Sequence, residues 1–419
     1  MKKIAVIGAG ISGLSIAQLL KEEFHVEVYE SANRAGGLVS CDIVDEILFH
    51  KVGGHVFNSK NQLVLDWFWS FFDKENEFVK AKRNAKILLD NKLIGYPIEN
   101  YLFELNKNVA ESIIYELKNM PSARFQNPFL YESFEEFLKD NFGLGLYELY
   151  FKPYNEKIWK TDLSQVPMAW LEGKLPMPNV SEILKAFENP KEESDMVHST
   201  FYYPKNGGSQ FIADRLSQNL TIHYNVKVAN INRSGEQWNL DGNMFDYIVY
   251  TGNSRDMSIL FKEEIPIDLT STLTQLRSNG TSNYLCKCDA TDLSWLYLPE
   301  KNTKAHRIIF TGNFSVNNNP YDKGRSTCVV EFSGKCSPEE MKNEIAELPF
   351  NLQPVQFNYA RDSYVIQDSD TRKVIGDAKN ILKSKNVFLL GRFAEWEYYN
   401  MDKAIEAAMS LKSLISDEK

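Results

Sequence analysis

The sequence predicts an α/β fold: a Rossmann-like dinucleotide-binding domain with a helical insertion and a mixed-sheet substrate domain. Three observations predict it. The first 37 residues run strand, glycine loop, helix, strand, acid. Residues 98–195 take on helical periodicity, and residues 265–370 alternate short apolar strands with polar loops. At 419 residues the chain is too long for one core, so two or three domains are expected.

The opening strand, Ile4-Ala5-Val6-Ile7, leads into Gly8-Ala9-Gly10-Ile11-Ser12-Gly13 and a helix to Leu20. A second strand, Val26-Glu27-Val28-Tyr29, ends at Glu30. In this pattern Gly8 allows a tight turn. Gly10 leaves room for a pyrophosphate against the backbone, and Gly13 lets the helix pack on the strand. The free N–H groups at the helix start, around Ile11 and Ser12, suit the phosphates, and the Glu30 carboxylate suits ribose hydroxyls. The bland alternative is a glycine-rich turn in an ordinary βαβ unit. The strand before, the helix after and the closing acid together favour a dinucleotide. In Arg34-Ala35-Gly36-Gly37, two glycines let a loop lie against a bulky cofactor, and an arginine can neutralise a phosphate.

The remaining elements follow in order. Residues 61–74 suit a helix with a wide apolar face. Lys86 to Pro97 suits a hairpin turning at Asp90-Asn91. Helices are predicted over 101–118, 133–141, 145–158, 209–218 and 401–415. Strands are predicted over 220–228, 246–252, 293–298, 306–314, 326–332, 361–367 and 386–392, the last passing through Gly391. These elements divide the chain into a dinucleotide-binding domain (1–75, 200–260, 370–419), a helical insertion (98–195) and a mixed-sheet domain (76–97, 261–369).

Composition narrows the function classes. The chain is 43% hydrophobic and 25% charged, ordinary for a globular protein. A net charge of −9 argues against a broad nucleic-acid-binding surface. Five scattered cysteines form no metal spacing and suit free thiols in a reducing compartment, so a cytoplasmic location is expected. Glycines 8, 10 and 13 interrupt the N-terminal apolar run, so neither a leader nor a membrane span is predicted. No metal is expected.

Two further stretches attract attention. Val52-Gly53-Gly54-His55 suggests backbone packed tightly on something flat; the bland reading is a histidine satisfied in a loop. Tyr147, Tyr150, Phe151, Tyr154, Ile158 and Trp159 recur at helical spacing, a pattern that usually marks a core stripe. The tyrosine tips also suit a base or sugar ring held between aromatic faces.

The Arg34-x-Gly36-Gly37 extension resembles that of the flavoprotein group containing amine oxidases, protoporphyrinogen oxidases and UDP-galactopyranose mutases, which implies FAD rather than NAD. Most of the chain resembles the UDP-galactopyranose mutases. The matching stretches are Gly54 to Phe57, Tyr96 to Ile98, Ser133 to Glu136, Leu146 to Trp159, Leu175-Pro176, and Gly391-Arg392 through Tyr398 to Asp402. Leu146 to Trp159 is the most specific. The resemblance implies pyranose–furanose isomerisation of a nucleotide sugar for surface polysaccharide. A reduced FAD would attack the anomeric carbon through N5, and the nucleotide sugar would be the partner, with a homodimer as one candidate assembly.

Carried over residue by residue, the resemblance puts Tyr154 on the uracil, with Asn155 beside it and Trp159 bordering the sugar. His55 would lie by the flavin. Arg392, Tyr398 and Tyr364 would approach the diphosphate, and Arg307 is a third phosphate ligand. Gly37, Gly54, Val228, Gly391, Met401 and Asp402 would line the cofactor. Two family arginines have no counterpart: Met177-Pro178 follows Leu175-Pro176, and Phe332-Ser333-Gly334 stands for Tyr-Ser-Arg. Asn58 stands where the family often has a second histidine. The alternative functions are an FAD oxidoreductase of the amine-oxidase or protoporphyrinogen-oxidase type and a non-catalytic flavin-bound assembly protein.

Overall fold

A computed structural model of the chain describes residues 1–171, 180–189, 200–319 and 325–417. Leu175-Pro176 and Met177-Pro178 therefore lie outside the described residues.

Strand β1 (Lys3–Ile7), helix α1 (Ile11–Leu20) and strand β2 (His25–Tyr29) form where the glycine pattern puts them. β1 is the middle strand of a five-stranded parallel sheet, flanked by β2 and Tyr247–Tyr250, with Thr221–His223 and Val387–Leu389 at the edges. Ile4, Ala5 and Val6 are fully buried because both faces of a parallel sheet are covered. One face packs on α1, the helix Gly208–Ser217 and the C-terminal helix Met401–Asp417. The other packs on the antiparallel ribbon 232–245 and the helix Thr371–Lys383.

A second, seven-stranded sheet runs in the order Gln353–Ile366, Arg277–Asp289, Arg325–Ser333, Ala305–Ile309, Trp295–Tyr297, Ala85–Leu89, Lys92–Gly95. It is mixed: Trp295–Tyr297 pairs parallel to Ala85–Leu89, and the other pairs are antiparallel. Phe78–Lys82 stays outside this sheet and pairs with Thr200–Pro204.

Several expectations need correction. The hairpin at Asp90-Asn91 forms, both residues taking the positive φ that a tight turn demands. The helix expected over 101–118 is regular only across Lys107–Asn119. Asn106 caps that start by accepting the Asn108 N–H, and single 3₁₀ turns precede it. The strand expected over 220–228 is regular only across Thr221–His223, because Asn225 turns the chain with φ +60°. Of the two longest strands, Arg277–Asp289 was not predicted and Gln353–Ile366 only in its last part, 361–367. In Arg277–Asp289 the buried polar residues Asn279, Thr281, Ser282 and Asn283 break the apolar signal of a strand.

Within the insertion, the expected helices 133–141 and 145–158 become one bent run. It comprises Phe134–Leu146, the π-helical turn Tyr147–Phe151 and Lys152–Trp159. Gly143 makes the bend with φ +78°, and the Glu116 carboxylate receives the freed N–H groups of Leu144 and Gly145. The π turn re-aims the helix so that Tyr154 meets the sheet, its ring edge-on to Tyr297.

Candidate functional site

The glycine loop builds a cradle at the C-terminal edge of the parallel sheet. A side chain on Gly13 would stand 1.9 Å from the Gly8 carbonyl oxygen, so α1 crosses β1 at contact distance only because Gly13 has none. A side chain on Gly10 would meet nothing within 4 Å. The space above Gly10 is open, at the start of a helix with no capping side chain and no acid in its first turn. Free N–H groups and the positive end of the helix dipole face that space. Gly36 donates its N–H to the Ala9 carbonyl, and Gly37 lies against Gly10, so the second glycine pair closes the cradle. Gly391, at φ +97°, packs where a side chain would strike Ser12 Oγ at 2.6 Å. The late strand thus abuts the start of α1.

Glu30 sits at the end of β2 as expected. Its carboxylate accepts the backbone N–H groups of Ala9 and Ala32, both at 2.8 Å. Val226 donates to the Glu30 carbonyl, which draws Val228 into the apolar cluster with Tyr29. Met401 is buried at the start of the C-terminal helix, and burial raises the carboxyl of the adjacent Asp402. Arg34, expected to neutralise a phosphate, instead pairs with the Asp42 carboxylate. Gly54 packs closely against the sheet: a side chain there would stand 2.6 Å from Ile309 Cγ2.

The second constellation gathers residues far apart in sequence. Arg307 donates to Glu331 at 2.6 Å and to the Tyr364 hydroxyl at 3.0 Å. Tyr364 stacks parallel on Tyr398, with ring centroids 5.7 Å apart. The Arg392 guanidinium lies 4.5 Å from the Tyr398 centroid and donates to the carbonyls of Ser363 and Tyr399. Gly53 brings His55 Nε2 and Arg307 Nη2 together: a side chain there would lie within 4 Å of both.

Charge at this point is unbalanced. Glu331 is 1% exposed; burial alone would raise its carboxyl, but Arg307 and His306 hold it below the usual range. Its partner Arg307 is held firmly charged. Arg392 has no carboxylate within salt-bridge distance among the described residues; its donors go to neutral carbonyls. Burial, then the fields of Arg392 and Arg307, push His55 down to about 4, so its ring is neutral at pH 7. His55 Nε2 is out of solvent and has no hydrogen-bond partner among the described residues. The set is a wall of two guanidiniums, one carboxylate, two tyrosines and a neutral imidazole. It suits a ligand with more than one negative charge.

The helix Lys152–Trp159 supplies the third part. Tyr154 stacks on Tyr150 with centroids 5.4 Å apart. Burial raises its hydroxyl well above the usual range, with smaller contributions from Tyr297 and Tyr364, while Arg307 pulls the other way. A cavity of about 80 Å³ opens beside Tyr154 and Asn155. Trp159 packs between Phe134 and Trp170, which stiffens the end of the helix. Sequence reasoning missed Glu331, Tyr297 and Glu99. A lone acid in the apolar run Cys328-Val329-Val330-Glu331-Phe332 was the available signal for the first.

Fold and cradle together define a dinucleotide-binding protein. Residues 6–74 match the family model of the NAD(P)-binding Rossmann-like domain. The relatives are more particular. The chain is 23% identical to a dTDP-fucopyranose mutase of Escherichia coli, over 99% of this chain and 98% of that protein. It is 24% identical to a UDP-galactopyranose mutase of Mycoplasma genitalium, over 96% and 92% respectively. Its fold is that of a crystal structure of reduced UDP-galactopyranose mutase: the TM-score is 0.86 at 20% identity, covering 100% of this chain and 94% of that one. A putative protoporphyrinogen oxidase from Exiguobacterium shares the fold with a TM-score of 0.77 at 14% identity. The resemblance to UDP-galactopyranose mutases thus extends along the whole chain.

Proposed function

We propose that this protein is a flavin-dependent nucleotide-sugar mutase that interconverts pyranose and furanose forms, acting in the cytoplasm in surface-polysaccharide synthesis. The observation that carries the reading is the uncompensated Arg392, which with Arg307 and the Tyr364–Tyr398 pair forms a receptor for a diphosphate. Full-length similarity to two nucleotide-sugar mutases supports it. Among the described residues no helix is long and apolar enough to cross a membrane.

The cradle fits FAD. The open space at Gly10, the uncapped start of α1 and Glu30 at the strand end would take pyrophosphate and ribose. When bound and reduced, the flavin supplies the nucleophile for the anomeric carbon. The chain does the remaining work. Arg307 and Arg392 neutralise the diphosphate, which makes it a better leaving group and keeps it close for return. The hydroxyls of Tyr364 and Tyr398 orient the phosphates. His55, neutral, hydrogen-bonded to the Val52 backbone and with Nε2 unpartnered among the described residues, offers Nε2 for one hydrogen bond where the sugar meets the cofactor. Tyr154 and Asn155 hold the base, and Trp159 fixes the end of their helix.

The test is anaerobic turnover from each redox state. UDP-galactopyranose and dTDP-fucopyranose are offered to dithionite-reduced and to oxidised protein, and isomers are separated by chromatography. Isomerisation by the reduced protein only is expected. Bleaching of the oxidised flavin by an amine or a porphyrinogen, with no isomerisation of either sugar, would replace the mutase reading with the oxidoreductase one.

A further inference from the structure

Glu99 is a buried acid inside an aromatic cavity. It sits in the turn Ile98–Asn100 and is 3% exposed. It lines the same cavity as Tyr150, Phe151, Tyr154 and Asn155. Apart from its own backbone N–H, the Glu99 carboxyl has no hydrogen-bond or ion-pair partner among the described residues. The titratable groups that face it are Tyr96 from its own segment, Tyr150 from the π turn and Tyr154 from the helix that follows. The wall from helix Phe134–Leu146 contributes only apolar side chains. No cation lines the cavity.

A carboxylate in such a place is costly unless it stays protonated or meets a donor from a ligand. Burial pushes the Glu99 carboxyl up to about 7. The protonated acid offers one O–H donor and one carbonyl acceptor side by side. That pair matches a ring edge bearing N–H next to C=O. Guanine carries the same pair at N1–H and C6=O, but on a larger, two-ring base.

We propose that Glu99 binds the base in this cavity by pairing, as a carboxylic acid, with the imide edge of a uracil or thymine nucleotide, accepting the ring N3–H and donating to the neighbouring carbonyl. The proposal rests on the reading above that Tyr154 and Asn155 hold the base. Cytosine also offers an acceptor beside a donor, but both mutases similar along the full chain carry uracil or thymine nucleotides in their names. The donor disappears when Glu99 ionises, so binding of an imide base weakens as pH rises through 7. A glutamine at this position keeps one donor and one acceptor at every pH.

Calorimetric titration of the flavin-loaded protein tests this, with UDP, dTDP, N3-methyl-UDP and inorganic pyrophosphate at pH 6 and pH 8. The proteins are wild type, Glu99→Gln, Glu99→Leu and Tyr154→Ala. Wild type should bind UDP about tenfold more weakly at pH 8 than at pH 6, one hydrogen bond's worth. Ionisation of the diphosphate itself cancels in the comparison with Glu99→Gln, which should lose the difference. N3-methyl-UDP should bind wild type at least tenfold more weakly than UDP, and Glu99→Leu should no longer distinguish the two. Equal binding of UDP and N3-methyl-UDP to wild type overturns the role of Glu99 while leaving the base site in place. If UDP binds no better than pyrophosphate, and Tyr154→Ala changes nothing, the base-site reading itself falls and this proposal with it.

Discussion

Arg392 lies over the ring of Tyr398, 4.5 Å from its centroid, and the same ring stacks in parallel on Tyr364, which Arg307 holds by its hydroxyl. Two arginines far apart in the sequence are thereby fixed to one pair of rings. Arg392→Lys keeps the charge but loses the planar fork that reaches two carbonyls and stacks on the ring. It should raise KM for the nucleotide sugar by about tenfold or more while leaving bound flavin unchanged, as read from steady-state kinetics and the flavin absorbance. An exposed ion pair would be worth at most about 1 kcal/mol, so near-wild-type kinetics for Arg392→Ala would remove Arg392 from the site.

Glu331 is the only carboxylate within salt-bridge distance of Arg307 among the described residues, and both are buried from solvent to different degrees. Glu331→Gln leaves a guanidinium in the interior without its counter-charge. The expected loss is about 3–5 kcal/mol of unfolding free energy, measured by denaturant titration, because breaking a buried pair strands a charge. A loss below about 1 kcal/mol would mean that solvent already screens Arg307.

Gly10 and Gly13 should fail in different ways. At Gly10 a side chain has room in the protein but occupies the place of the pyrophosphate. Gly10→Val should therefore fold, with a normal circular dichroism spectrum, and emerge without flavin. At Gly13 even one methyl group would meet the Gly8 carbonyl at 1.9 Å, so Gly13→Ala should lower Tm as well as flavin content. A yellow Gly10→Val protein would displace the dinucleotide assignment from this loop.

Buried histidines set the acid limit of the fold. His50 and His306 are held down to about 3 and His55 to about 4, in each case chiefly by burial. Their pKa values in the fold lie below the unfolded value of about 6.5, so unfolding takes up protons between roughly pH 6.5 and 4. Stability is fully present above that window and falls as pH drops through it, by up to about 1.4 kcal/mol per pH unit for each histidine. The measurement is Tm against pH for wild type and for His50→Gln. The variant should show a slope shallower by about one proton; an unchanged slope would mean that His50 is already charged in the fold.

The sequence by itself determined the parts that are local. Strand, glycine loop, helix, strand and acid lie within thirty residues of one another, and Gly13 is required by a contact that the motif itself creates. The turn at Asp90-Asn91 and the C-terminal helix are legible for the same reason: their signals need no distant partner. The aromatic stripe from Tyr147 to Trp159 was visible as periodicity, but its direction was not. The bend at Gly143 and the π turn decide that Tyr154 meets Tyr297, and the long-range Glu116 carboxylate supports that bend.

Only the tertiary structure decided what charges what. Arg34 and Arg307 were both expected at phosphates; the structure adds a pairing of Arg34 with Asp42, and of Arg307 with Glu331 and Tyr364. Ion pairs and burial depend on which strands become neighbours in a seven-stranded sheet, and its strand Arg277–Asp289 hides its signal behind buried polar residues. Glu99 shows the same limit. In sequence it is one of many acids, and only the closed aromatic cavity around it turns an ordinary carboxylate into a group that is half protonated near neutral pH.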